Sequence, residues 1–129
     1  MSPLIKSLLI FLGAGLGGNA RYWIGGWVAD RTGPAFPWPT LAVNVSGGFL
    51  IGLAATVLLQ QQEPLPWRLF LIVGFLGGYT TFSTFSIETM NLLSEKSYAP
   101  ALANVLSSLL GSLLATWIGL VLGRILTRA

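Results

Sequence analysis

The sequence contains no cysteine and no histidine, and it has few charged residues. The first two absences exclude disulfide and thiol chemistry, and they leave zinc, haem, iron–sulfur sites and histidine-based triads without their usual ligands. Charged side chains make up 9% of the chain, whereas a soluble domain typically carries about 25%. With only 4 carboxylates, paired-acid and phosphoryl-transfer mechanisms have almost no residues to use. The composition therefore predicts no enzyme.

A nucleic-acid partner is not predicted either, because the basic residues stand singly and form no patch despite a net charge of +3. Apolar residues are abundant instead, at 53% of the chain. A helix needs about 20 apolar residues to cross a bilayer core. Four such spans fit, approximately at 4–28, 40–60, 67–91 and 99–126. The sequence predicts an all-α membrane protein with a single transmembrane domain over residues 1–129.

The first apolar segment follows Lys6 and resembles a secretory signal. Because three more spans and no soluble domain follow it, we interpret it as the first membrane helix. With four spans, both termini lie on one side of the membrane. That side carries Lys6, Arg68, Arg124 and Arg128, and the other carries Arg31, Lys96 and, if it extends that way, Arg21. This small margin fits a weakly biased protein with its termini inside, or a chain that inserts both ways and pairs antiparallel.

Two kinds of stripe run along the predicted helices. Small residues four apart, which allow helices to approach closely in lipid, predict a compact bundle and oligomerisation. These are Gly13 and Gly17, Gly48 and Gly52, and the series Ser107, Gly111, Ala115, Gly119 and Gly123. A polar ladder of Asn104, Ser108, Ser112 and Thr116 lies beside that series. Such a ladder indicates either a wetted path or a hydrogen-bonded seam between helices.

The third span is interrupted near its middle by the segment 74–86, which combines paired glycines with β-branched threonines. Unwound backbone at membrane depth is tolerated where it is buried in protein or lines a watery cavity, and transporters use it for ion sites. Its freed carbonyls are hard ligands for a cation. Because no carboxylate lies nearby in the sequence, Na⁺ is favoured over Ca²⁺ or Mg²⁺.

An anion site is a second possibility at the same break. The hydroxyls of Thr81, Ser83 and Thr84 and the amide of Asn44 are neutral hydrogen-bond donors. Phe82 and Phe85 are spaced to share one helical face, and their ring edges carry partial positive charge. The alternative is that both phenylalanines are ordinary packing residues.

Three segments carry a family resemblance: GAGLGGNARY at 13–22, TLAVNVSGGFLIG at 40–52 and GFLGGYTTFSTF at 74–85. In order and spacing they resemble the signature segments of the CrcB/Fluc fluoride channels. The resemblance implies an antiparallel, dual-topology homodimer in a bacterial plasma membrane, with two pores that let fluoride leave the cell passively. It also implies that carbonyls of Gly77 and Thr80 hold a central Na⁺ that is not transported, and that Phe82 and Phe85 contact fluoride.

The resemblance also implies roles for further polar residues. The pore is expected to include Asn44, Ser83, Thr84 and Ser112, and the polar track or vestibule Thr116, Ser108, Asn104, Glu88 and Arg21. Asn104 departs from the family, where many members have tyrosine. Arg21 is open to a vestibule role or to plain packing. An ionised Glu88 would repel fluoride. The alternatives are that Glu88 is hydrogen-bonded at the pore mouth or is protonated there.

Two rival functions each fit part of the sequence. A small multidrug-type antiporter also has four helices, but it needs an acidic residue in its first helix. The first predicted span contains Arg21 and no acid. A non-transporting scaffold protein would explain the glycine stripes, but not a hydroxyl-rich break at the bilayer centre.

Overall fold

The computed structural model describes residues 1–59 and 65–128. This part of the chain consists of helices joined by short connections and contains no strands. Helix α1 is Pro3–Thr32, α2 is Trp38–Leu59 and α5 is Tyr98–Arg128. The third span contains two helices. We call 65–79 α3, which is α-helical at Leu65–Trp67, π-helical at Arg68–Leu76 and α-helical again at Gly77–Tyr79; α4 is Phe82–Ser94. The predicted four spans, each long and apolar enough to cross a membrane, and the predicted break in the third are confirmed.

Helix α1 continues past the predicted span limits of 4–28, and both of its ends are capped. At the start of α1, the Ser2 hydroxyl accepts a hydrogen bond from the N–H of Ile5. At its end, the Thr32 hydroxyl donates to the carbonyl of Val28 at 2.9 Å, and Gly33 stops the helix with φ of 74°. The predicted end of the second span at residue 60 lies outside the described residues, as does Ala129.

Helix α1 packs against α3 through glycines that bring the two backbones together. A Cβ on Gly17 would collide with the carbonyl of Phe75, and one on Gly78 would collide with the carbonyl of Ala14. The first small-residue stripe therefore serves a contact within the subunit. This contact holds the start of the interrupted span in a fixed position against α1.

Helices α2 and α5 form the most extensive helix pair of the bundle. Gly52 lies against the carbonyl of Thr116, and Gly119 lies against that of Phe49, so that neither has room for a side chain. Gly123 faces the Thr56 side chain in the same way. Together the two pairs, α1 with α3 and α2 with α5, give a bundle held by close backbone packing.

Large apolar side chains mostly face outward. Val43, Leu76 and Tyr79 are buried, whereas most leucines of α1 and α5 are exposed. A soluble protein rarely exposes so much contiguous apolar surface. In a bilayer, lipid chains solvate this surface, so the arrangement is that of a membrane-embedded bundle.

Candidate functional site

The break in the third span consists of two extended residues. Thr80 has φ, ψ of −83°, 158° and Thr81 has −150°, 117°, while Gly77 before them is still helical at −63°, −36°. The sequence predicted an interruption from the paired glycines together with the threonines that follow them. In the structure, Gly78 sits in a helical turn that packs on α1, and the two threonines form the interruption.

The break frees backbone carbonyls, among them those of Gly77 and Thr80, from the helical hydrogen-bond pattern. In a continuous helix the N–H of Thr81 would donate to Gly77, and that of Thr84 to Thr80. Here the Thr81 N–H donates to Asn44 Oδ1 at 2.8 Å, and the Thr84 N–H donates to Thr81 Oγ1 at 3.2 Å. The carbonyls of Gly77 and Thr80 therefore lose these helical donors, and both residues line the same groove.

Asn44 joins α2 to the break through both ends of its side chain. Its Oδ1 accepts from the Thr81 N–H at 2.8 Å, and its Nδ2 donates to the Thr81 carbonyl at 2.9 Å. This pairing resembles that between neighbouring β-strands. It satisfies the backbone of a residue that is only 8% exposed.

A groove of about 570 Å³ opens beside the break. Its polar and aromatic wall brings together eight of the predicted or discussed site residues: Asn44, Gly77, Thr80, Thr81, Phe82, Phe85, Ser108 and Ser112. Its apolar wall includes Ile51, Ile72, Leu76, Val105, Leu109 and Leu113. No carboxylate in the described part of the chain lines it. The groove thus offers neutral dipoles in an apolar setting.

Phe82 and Phe85 lie next to each other on the first turn of α4. Their ring centroids are 5.4 Å apart with an angle of 55° between the ring planes. Phe82 is 78% exposed, which shows that within one chain it is not a core packing residue. Its ring is available to an ion in the groove or to another molecule.

The polar ladder of α5 divides into two parts. Asn104 is 1% exposed; its Nδ2 donates to Thr89 Oγ1 on α4 at 2.9 Å, and the Ser108 hydroxyl donates to its Oδ1 at 3.4 Å. At Asn104 the ladder is therefore a hydrogen-bonded seam between α5 and α4. Ser112 lines the groove, whereas Thr116 is not among the lining residues and its hydroxyl donates to the carbonyl of Ser112.

The other predicted residues lie outside the groove. Ser83 and Thr84 form a small hydroxyl cluster with Thr81, at 3.3 and 3.0 Å from its Oγ1. Arg21 is half-buried on α1. Glu88 lines a separate cavity of about 450 Å³, near the loop between α1 and α2. Its Oε1 accepts from the Thr40 hydroxyl at 2.8 Å, and its Oε2 is buried and unpaired in the described part of the chain.

Two partners of site residues were missed from the sequence, namely Thr40, which binds Glu88, and Thr89, which binds Asn104. Both are threonines in apolar helices, which is a weak signal in itself, because such hydroxyls commonly bond their own helix. Thr89 also does so, since its hydroxyl donates to the carbonyl of Phe85. Their distant partners could not be identified by spacing.

The backbone carbonyl oxygens at the break are suited to bind a monovalent cation. Within 1–59 and 65–128, no group of three or more acidic, cysteine or histidine residues could hold a metal ion. The carbonyls of Gly77 and Thr80 are neutral oxygen ligands, and Gly77 carries no side chain that would cover them. Such a set fits Na⁺ better than a divalent ion, whose charge would call for carboxylates.

The four spans and the polar interruption at mid-span define a multi-pass membrane protein with a site built around a broken helix. The family model for "CrcB-like protein, Camphor Resistance (CrcB)" matches residues 8–120. The chain belongs to the CrcB family.

Similar proteins from several bacteria bear the name fluoride-specific ion channel FluC. The protein of Solibacter usitatus is 53% identical over 103 residues, covering 79% of this chain and 84% of the relative. That of Rhizobium meliloti is 46% identical over 101 residues, covering 78% and 81%. That of Bordetella petrii is 50% identical over 99 residues, covering 76% and 75%.

Proposed function

We propose that this protein is a fluoride-selective channel that lets the anion pass down its gradient. The observation that carries the proposal is the groove beside the helix break, where hydroxyls, one carboxamide and two phenylalanines meet and where no carboxylate of residues 1–59 and 65–128 is present. The name of the similar proteins supports the same function, and it agrees with the expectation that the chain is not an enzyme. The protein acts in a bacterial membrane.

Selectivity follows from what these groups replace. Fluoride is small, strongly hydrated and a strong hydrogen-bond acceptor, so leaving water requires several donors at close range. The hydroxyl of Ser112 and the ring edge of Phe82 supply such partial positive charge without a full charge that would trap the ion. A narrow path excludes larger halides by size.

The carbonyls of Gly77 and Thr80 hold a structural Na⁺ in this proposal. Both have lost their helical donors, as described above, and Gly77 is exposed on the groove side of the chain. A bound Na⁺ supplies a fixed positive charge near the anion path. The protein keeps these carbonyls free of helical hydrogen bonds, so that they can bind the ion.

A second copy of the chain completes the pores and the cation site in an antiparallel homodimer. The groove is open on one side, and Phe82 is largely exposed there. Polar backbone at membrane depth must be covered by protein or water, and a second copy covers it. The nearly balanced basic residues at the two ends favour insertion in both orientations.

Ion release from liposomes tests the channel function. Purified protein is reconstituted into vesicles loaded with potassium fluoride or potassium chloride, and valinomycin is added to carry the counter-charge. We expect rapid fluoride release, measured with a fluoride electrode, and no chloride release above that of protein-free vesicles. Equal release of both halides would contradict the proposal.

The antiporter alternative finds no support in the site. Helix α1 extends far enough to include Asp30, but this residue is exposed and lies in the last turns, close to Gly33. A proton-coupled exchanger needs its carboxylate within the membrane. In the liposome assay an antiporter would release fluoride no faster than empty vesicles do.

A further inference from the structure

Asn44 has a second role that its place in the groove does not require. We propose that Asn44 is a positioning residue, which holds Thr81 in the extended conformation and thereby keeps the Gly77 carbonyl available to the cation. The proposal rests on the proposed function, because it concerns the Na⁺ site described there. The carboxamide of Asn44 acts on the cation through Thr81 and does not bind it.

The Thr81 N–H has two competing acceptors. It now donates to Asn44 Oδ1 at 2.8 Å; its acceptor in a continuous helix is the Gly77 carbonyl. Thr81 is only 8% exposed, so that its N–H has little access to solvent and must find a protein acceptor. If Asn44 is removed, the remaining acceptor is the same oxygen that the cation needs.

The two arrangements differ in the backbone dihedral angles of two residues. Gly77 already has helical dihedrals of −63° and −36°, so the helix can resume by changing Thr80 and Thr81 alone. Resumption would also return the Thr81 carbonyl, which Asn44 Nδ2 now binds at 2.9 Å, to helical partners. Asn44 therefore opposes the helix at both polar groups of one residue.

Helix α2 is well suited to hold this side chain in place. Val43, beside Asn44, is 1% exposed, and Gly48 and Gly52 fix the next turns of α2 against α5. Gly47 lies directly against the Thr80 methyl group, where any side chain would push the break away. The carboxamide thus projects from a rigid helix onto a backbone that has an alternative conformation.

This role differs from that of an anion contact. A carboxamide has one acceptor oxygen and two N–H donors. The oxygen and one N–H serve Thr81, leaving a single N–H for an ion in the groove. A residue that only contacted fluoride would affect ion passage, whereas a residue that positions the break also affects the affinity for Na⁺.

The experiment measures Na⁺ affinity by thermal stability, without relying on ion flux. The detergent-purified protein is heated at increasing NaCl, with choline chloride keeping the ionic strength constant, and the rise in Tm gives the half-saturating Na⁺ concentration. For Asn44→Ala we expect this concentration to rise about tenfold, equivalent to about 1.4 kcal/mol of binding free energy.

Asn19→Ala is the matched control. Asn19 is exposed, and its Nδ2 donates at 2.8 Å to the carbonyl of Gly15 on its own helix, so its removal should leave the half-saturating concentration unchanged. Asn44→Gln serves if Asn44→Ala does not fold, because it keeps the carboxamide but displaces it by one methylene. It should raise the half-saturating concentration in the same direction, by less.

The outcomes separate this proposal from the one on which it rests. If the wild-type Tm does not respond to Na⁺, the proposed cation site is wrong. If the wild type responds and the Asn44 variants share its half-saturating concentration, the cation site stands and the positioning role is overturned. A change of affinity in Asn19→Ala as well would also overturn it, since the effect would then not be specific to the break.

Discussion

Thr81 shows how one residue can determine the shape of a membrane span. Its N–H and carbonyl pair with Asn44, while its hydroxyl accepts from the Thr84 N–H at 3.2 Å and donates to the Thr84 hydroxyl at 3.0 Å. It therefore ends one helix and caps the next. In the absence of these partners, unpaired polar groups at this depth would be strongly destabilising.

Replacing Thr81 by valine should destabilise the protein through the loss of the N-cap of α4. Valine keeps the β-branched shape but removes the oxygen that accepts from Thr84, which typically costs about 1 kcal/mol. We expect a lower Tm in detergent for Thr81→Val, and a Tm close to that of the wild type for Thr81→Ser. A Tm of Thr81→Val equal to that of the wild type would show that the hydroxyl does not stabilise the start of α4.

The phenylalanines provide the residue-scale prediction for ion passage. Phe82→Ile and Phe85→Ile should each lower the fluoride efflux rate from liposomes by about tenfold or more, since losing about 1.4 kcal/mol of transition-state stabilisation has that effect. Isoleucine fills much of the space but has no positive ring edge.

Phe11→Ile is the matched control for these variants. Phe11 is 73% exposed on α1 and does not line the groove. Size-exclusion chromatography should give the same elution volume for all three variants. Wild-type efflux in both groove variants would exclude the two rings as ion contacts.

At the scale of elements, the bundle consists of two tightly packed helix pairs with the broken span between them. Gly17 and Gly78 bring α1 and α3 together, while Gly52 and Gly119 bring α2 and α5 together. Helix α4 is tied to α5 through the hydrogen bond from Asn104 to Thr89. The break is thus held by α2. Of the two helices that flank it, α3 is held by α1 and α4 is held by α5.

Gly17→Ala should weaken the contact between α1 and α3. The added methyl group would meet the carbonyl of Phe75, and overpacking of this kind costs about 1–3 kcal/mol. Gly15→Ala, two residues earlier in the same helix, adds its methyl group where nothing lies within 4 Å. We expect a clear fall in Tm for the first variant and little change for the second; similar Tm values for the two would contradict this packing.

At the scale of the whole molecule, both ends of the bundle carry basic residues. Arg31 and Lys96 belong to the end near the α1–α2 loop, where Asp30, Glu88 and Glu95 line a cavity, and Lys6, Arg68, Arg124 and Arg128 belong to the other end. Neither end has a large excess of basic residues, so charge gives only a weak preference for one orientation. In the proposed antiparallel dimer, each membrane face presents one end of each kind.

A single introduced cysteine tests the proposed dual topology, since the chain has none of its own. Ser94 is exposed at the end of α4, and an impermeant maleimide added to intact cells should label about half of Ser94→Cys if both orientations occur. Labelling after membrane permeabilisation gives the total. Labelling of nearly all or nearly none of the protein would indicate one fixed orientation.

Much of the architecture was predictable because it depends on local composition. Four apolar runs bounded by single charges give four spans, and the hydroxyl-rich segment at 74–86 locates the interruption of the third. The bilayer requires this, since any chain crossing it must be apolar and internally hydrogen-bonded. The segments at 13–22, 40–52 and 74–85 were enough to indicate the family, which the match over residues 8–120 confirms.

Tertiary structure alone decided which residues act together. Asn44 and Thr81 are 37 positions apart, Thr40 and Glu88 are 48 apart, and no periodic pattern in the sequence reports such pairs. It also decided where the helix breaks: Gly78 remains helical where α1 packs on it, and the chain unwinds at Thr81, whose backbone Asn44 binds. Local propensity indicates where a helix is weak, but the point at which it opens depends on the partners that satisfy the freed backbone groups.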